Sequence, residues 1–174
     1  QRTSSAASDV YKRQDLSLFI DVPSKEALYT LFSLNQDNTP EVGSLSSIKE
    51  LEHLIKMSAL NFYVLEEEEI IGFVVCFREN ASYKSLNYKF FNTTEDKFLY
   101  IDRVVIRQGH RRKGAGSTLY AHLQSLADLE NIPVCCEVNT IPKNEVSLNF
   151  HHKNGFIEVG EHQFDDHSVV YLKR

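Results

Sequence analysis

Arg103, Arg107, Arg111, Arg112 and Lys113 crowd into one short stretch of a chain whose net charge is -5. They lie within or beside Val104-Val-Ile-Arg-Gln-Gly-His-Arg-Arg-Lys-Gly-Ala-Gly-Ser117. An apolar, β-branched run enters this segment, and a helical pattern leaves it. Gly114 and Gly116 allow a backbone to approach a ligand without Cβ interference. The first N–H groups of the helix that follows have no internal partner and add the positive end of its dipole. Such a terminus takes phosphate readily. The charge cluster alone fits a solvated basic surface as well as an anion site.

The spacing excludes two common phosphate binders. A P-loop needs Lys then Ser or Thr after its second glycine, and Gly116 is followed by Ser117-Thr118 without that lysine. A dinucleotide fingerprint needs a third glycine near Leu119, which is missing. The negative balance disfavours a general nucleic-acid binder. No apolar run reaches the ~18 residues that span a bilayer. Cys76, Cys135 and Cys136 lie in apolar runs without metal-ligand spacing, and read as reduced, buried thiols of a cytoplasmic protein.

The elements that must position this segment form a mixed α/β chain. Gln1 to Gln14 is polar and aperiodic, and is expected to be a tag or read-through remnant outside the fold. Residues 15–174 then form one domain. A strand over Asp15 to Val22 precedes a helix capped by Ser24. Asn35 to Ser44 reads as a loop, and Ser47-Ile-Lys-Glu50 as a capping box opening a second helix. Phe62 to Leu65 and Ile70 to Arg78 read as a hairpin. Glu79 to Lys97 reads as a long polar-aromatic connection, either functional or pinned to the core. Phe98 to Ile106 is a strand, followed by the basic loop and a helix to about Glu130. Pro133 to Val138, a helix capped by Asn144 and ended by Gly155, and a closing hairpin complete the order. A strand-helix-strand unit of this kind is parallel and right-handed.

Arg111-x-x-Gly114-x-Gly116 between strand and helix resembles the pyrophosphate motif of the GCN5-related N-acetyltransferases (GNAT). Asn144-x-x-Ser147-x-x-Phe150-His151-x-x-x-Gly155-Phe156 is similar to that family's second signature, in the expected order and at the start of its own helix. The likeness in element order runs from about Leu16 to Leu172. It looks closer still to a subgroup of predicted acetyltransferases, through Asn38-Thr-Pro-Glu-Val-Gly-Ser44, Phe98-Leu-Tyr-Ile-Asp-Arg103, Cys136-Glu-Val-Asn139 and Phe150-His151.

The resemblance implies a mostly antiparallel sheet with one splayed parallel strand pair, and acetyl-coenzyme A in the gap. It implies that the backbone of Val104, Val105 and Ile106 meets the pantetheine arm. Arg111, Arg112, Lys113, Gly114, Ala115, Gly116 and Ser117 would hold the phosphates, and Asn144 would touch the arm or only cap its helix. The family usually has Tyr where this chain has His151, donating to the departing thiolate; histidine can donate there, or can be a surface residue. Glu137 and Asp102 are the implied candidates for the base that takes a proton from an amine acceptor, and either can instead be a structural charge. No metal is implied. The competing expectations are a coenzyme-A-binding sensor without turnover and a transferase of longer acyl groups. Monomer and homodimer both remain open.

Overall fold

A computed structural model describes residues 15–18 and 22–174. The segment Gln1 to Gln14, and the expectation that it stands outside the fold, lie beyond those residues. Asp15–Leu18 form β1; the rest of the first expected strand is not described up to Val22.

Helix α1, Lys25–Gln36, starts where Ser24 accepts the Ala27 N–H at 3.1 Å. Leu28, Leu31 and Leu34 recur at three-residue spacing and are buried, so one stripe faces the sheet. Asn35 and Gln36, expected in the loop, belong to the last turn of this helix. Helix α2, Ile48–Met57, begins on Ser47, whose hydroxyl accepts the Glu50 N–H at 3.3 Å. The reciprocal half of the box closes one residue early. Glu50 Oε2 accepts from the N–H and hydroxyl of Ser46, at 2.6 and 2.7 Å.

Strands β2, Leu60–Glu66, and β3, Glu69–Arg78, pair antiparallel as expected. The connection expected after β3 contains a helix, α3, Leu86–Thr94. Its residues are weak helix formers, and packing decides the conformation. Ser85 caps it by accepting the Tyr88 N–H at 3.3 Å, and Tyr88 and Phe91 are buried. The Tyr88 hydroxyl donates to the Arg78 carbonyl at 2.7 Å and accepts the Ala81 N–H at 2.8 Å, fixing α3 against the end of β3.

Strand β4, Leu99–Ile106, leads through a 3-10 turn at Gln108–His110 to α4, Ala115–Glu130. Strand β5, Val134–Ile141, α5, Glu145–Lys153, and the hairpin of β6, Ile157–Gln163, with β7, Ser168–Lys173, complete the chain. The sheet order is β1-β2-β3-β4-β5-β7-β6, with β4–β5 the parallel pair and the other pairs antiparallel. This is the expected mixed α/β sheet.

Two cores cover its faces. Leu119, Leu123 and Ala127 of α4 and Leu148 of α5 pack on Val74, Cys76, Ile101, Cys136 and Leu172. On the other face, helices α1, α2 and α3 cover Phe73, Val75, Phe77, Tyr100, Cys135 and Tyr171. Each helix presents apolar side chains to the strands it covers. Among the described residues, no helix is long and apolar enough to cross a membrane.

Candidate active site

The parallel ladder between β4 and β5 is short. Only Leu99↔Val134 and Tyr100↔Cys135 pair, and beyond them the strands separate. Val104, Val105 and Ile106 still pair with β3 through Val74, Phe73 and Gly72. A strand alternates the direction of its backbone groups. Those turned away from β3 therefore border the gap.

A bulge in β4 decides what surrounds that gap. Val75 pairs with Arg103 but Cys76 pairs with Ile101, leaving Asp102 as the extra residue. Tyr100, Asp102, Arg103 and Val105 then all reach partners on the α1–α2–α3 side. Tyr83 donates to Asp102 Oδ1 at 2.6 Å, and Arg103 Nε donates to Oδ2 at 3.0 Å. Arg103 Nη1 continues to the Asn35 side-chain oxygen at 2.7 Å and the Gly43 carbonyl at 3.2 Å.

Glu137, partly buried on β5, faces the same side. Tyr100 donates to its Oε2 at 2.7 Å, and Asn87 of α3 donates to Oε1 at 3.1 Å. Tyr171, its register partner on β7, donates to Asn87 Oδ1 at 3.1 Å. Burial, and next the Asp102 charge, push the Glu137 carboxyl up to about 8, against the lowering effect of its two donors. Tyr171 also floors a surface groove with Phe90, rimmed by Lys89, Glu161 and His162. Asn87 and Tyr83 belong to the stretch read as a connection. The available signal was Ser85 as a cap with aromatics three apart at Tyr88 and Phe91.

The basic cluster does not converge on one point. Arg103 turns inward to Asn35, and Arg107 pairs with Glu69 and the Ile70 carbonyl. Arg111 donates to Asn38 Oδ1 and to the Ile106 carbonyl, tying α1's end to the loop. Arg112 and Lys113 are exposed beside the start of α4. Arg112 and Gly114 both have positive φ, 62° and 92°, which turns the chain sharply into the helix. Gly114 is the N-cap and makes no side-chain cap bond, so the first α4 amides keep their outward donors. A Cβ built on Gly114 meets nothing within 4 Å, leaving open space over those donors.

Opposite the carboxylates lie Tyr120 and His151, both buried, with the hydroxyl 2.8 Å from Nε2. Asn144 caps α5 by accepting the Ser147 N–H at 3.1 Å. The three thiols are buried, and burial pushes each well above the ordinary cysteine value, so none is an activated nucleophile.

A sequence profile described as the acetyltransferase (GNAT) family matches residues 28–156. The chain belongs to the GNAT acetyltransferase family. Among curated proteins no relative matches. Solved structures share the fold. Ard1 from Thermoplasma volcanium superposes with a TM-score of 0.70 at 17% identity, covering 92% of this chain and 96% of its own. Naa50 of Arabidopsis thaliana, solved with the bisubstrate analogue CoA-Ac-MVNAL, gives 0.67 at 19%, covering 91% and 97%. NAA60 of the same plant, solved with acetyl-CoA, gives 0.70 at 12%, covering 93% and 98%. Acetyl-coenzyme A is the co-substrate of the acetyltransferase family to which the chain belongs. The open space and free amides at Gly114–Ser117 fit its phosphates.

Proposed function

We propose that the chain is an N-acetyltransferase that passes an acetyl group directly from acetyl-coenzyme A to an amine. The observation that carries this reading is the ladder break after Tyr100↔Cys135, with the amide-lined start of α4 at one end and Glu137 across the opening. Backbone groups of Val104, Val105 and Ile106 align the pantetheine arm. Amides from Arg112 to Ser117, with Lys113, hold the phosphates, and Asn144 shapes the wall.

Glu137 is the base. A carboxyl near 8 suits proton removal from an ammonium group better than an ordinary carboxylate. Asp102 is the weaker candidate, because its carboxylate is already committed to Tyr83 and Arg103. Its charge instead helps hold the Glu137 carboxyl high. The remaining reaction needs no covalent intermediate, since holding amine and thioester together supplies much of the rate.

The acceptor is an amine, free or at the start of a peptide. The groove beside Tyr171 lies one strand from Glu137 and offers a place for whatever follows the amine. A coenzyme-A-binding module without turnover is the competing reading, favoured by the engagement of both His151 ring nitrogens. Thiol release from acetyl-coenzyme A, measured against a panel of small amines, polyamines and peptides, separates the two. Acceptor-dependent release is expected. Tight coenzyme A binding with no release for any amine would favour the binding module.

A further inference from the structure

We infer that Tyr120 gives the hydrogen bond received by the coenzyme A sulfur, and that His151 positions Tyr120; this rests on the acyl-coenzyme-A reading above. In place of the usual tyrosine, the family resemblance implies His151 as the donor. Its hydrogen bonds argue otherwise. His151 Nδ1 lies 2.7 Å from the Ser147 carbonyl, which can only accept, so Nδ1 carries the ring hydrogen. Nε2 is then a lone-pair acceptor, and the Tyr120 hydroxyl 2.8 Å away must be the donor. Burial lowers the histidine's proton affinity further, so the ring stays neutral near pH 7. His151 has no hydrogen left for a third partner.

Tyr120 has one. Its hydroxyl hydrogen can turn from Nε2 to another acceptor by rotation about one bond, while the ring stays fixed. Phe150, His151 and Phe156 hold that ring edge-on, with centroids 5.0, 5.2 and 6.0 Å away. Position supports the same assignment. The gap opens immediately after Tyr100↔Cys135, so Ile101 and Cys136 flank its apex, and both share a core with Tyr120. Tyr120 lies about one and a half turns into α4 from Ala115. A ligand with its phosphates on the first α4 amides and its arm along β4 therefore ends on the Tyr120 side of the apex. Glu137 reaches the opposite face, so acid-side and base-side groups stand on either side of the sheet.

The test compares coenzyme A with desulfo-coenzyme A by titration calorimetry at pH 9, where a thiol is partly ionised. It uses the full chain and the variants Tyr120→Phe, His151→Ala and His151→Gln. The wild type is expected to prefer coenzyme A by roughly tenfold, the size of one charge-assisted hydrogen bond. Tyr120→Phe is expected to erase that preference while binding desulfo-coenzyme A normally. His151→Ala should reduce the preference, and His151→Gln, which keeps an acceptor for the hydroxyl, should restore part of it. A wild-type preference in Tyr120→Phe overturns the inference, as does equal weakening of both ligands, which marks a structural role. A wild-type preference in His151→Ala overturns the positioning role. Failure of the wild type to bind either ligand overturns the acyl-coenzyme-A reading and this inference with it.

Discussion

Arg103 Nη1 donates to the Asn35 side-chain oxygen at 2.7 Å, joining the middle of β4 to the last turn of α1 through two buried polar groups. Asn35 in turn donates to the Gly43 carbonyl at 3.1 Å, so the same pair anchors the loop after α1. Asn35→Ala leaves a buried guanidinium short of an acceptor. Unfolding in urea should show a loss of about 1–3 kcal/mol, the usual cost of an unmet buried partner. A midpoint equal to the wild type would mean that water or Gly43 replaces the amide at no cost.

The Glu137 carboxyl gives a pH signature with a definite sign. Its folded value, about 8, stands above its ordinary 4.5. The unfolded chain therefore releases this proton more easily, and the group's contribution to stability is fully present below pH 4.5 and is lost as pH rises through 8. Wild-type Tm should fall between pH 6 and 9 by more than that of Glu137→Gln. If Glu137 is the base, turnover should also climb through about pH 8, and Glu137→Gln should lose both the rate and the climb. Parallel Tm profiles for the two proteins would argue against a protonated Glu137 in the fold.

Gly114 tests the phosphate cradle. Valine there must adopt a φ near 92°, which costs about 1–3 kcal/mol in a β-branched residue, and fills the open space over the α4 amides. Acetyl-coenzyme A at a hundred times its Kd should stabilise the wild type by about 2.7 kcal/mol. Gly114→Val should show no such gain, while still unfolding cooperatively. A full ligand-induced shift in the variant would move the phosphates elsewhere.

Gly72 tests how firmly β4 must be seated. A Cβ at this position would lie 2.5 Å from the Val105 carbonyl oxygen and 2.7 Å from Ile106 Cδ1. Backbone cannot yield as a flexible side chain can, so Gly72→Ala should cost about 1–3 kcal/mol by overpacking. The displaced strand also feeds the phosphate loop, so coenzyme A affinity should fall in the same variant. Normal stability by thermal melting would show that β3 and β4 can separate freely here.

The phosphate-loop signal was legible because it is local. Gly114 must take a positive φ and α4 must begin with free amides, and both follow from a few consecutive residues. The caps at Ser24, Ser47 and Asn144 were legible for the same reason. Helix α3 was not, because Asn, Tyr, Phe and Thr carry little helical preference, and burial of Tyr88 and Phe91 supplies the deciding energy.

The dispersal of the basic cluster was equally hidden. Adjacent charges in sequence look like one patch, yet an extra residue at Asp102 turns Arg103 inward while Arg107 reaches β3 and Arg111 reaches Asn38. The elements other than α3, the anion-binding turn and the family likeness can be read from the sequence, because they depend on short-range periodicity and spacing. Tertiary structure alone decided that Glu137 meets Asn87 and Tyr100, and that His151 accepts from Tyr120. Those pairs join residues far apart along the chain. Only the packing of α3 and α4 on opposite faces of one divided sheet brings them within hydrogen-bond reach, and burial there sets which of them hold protons.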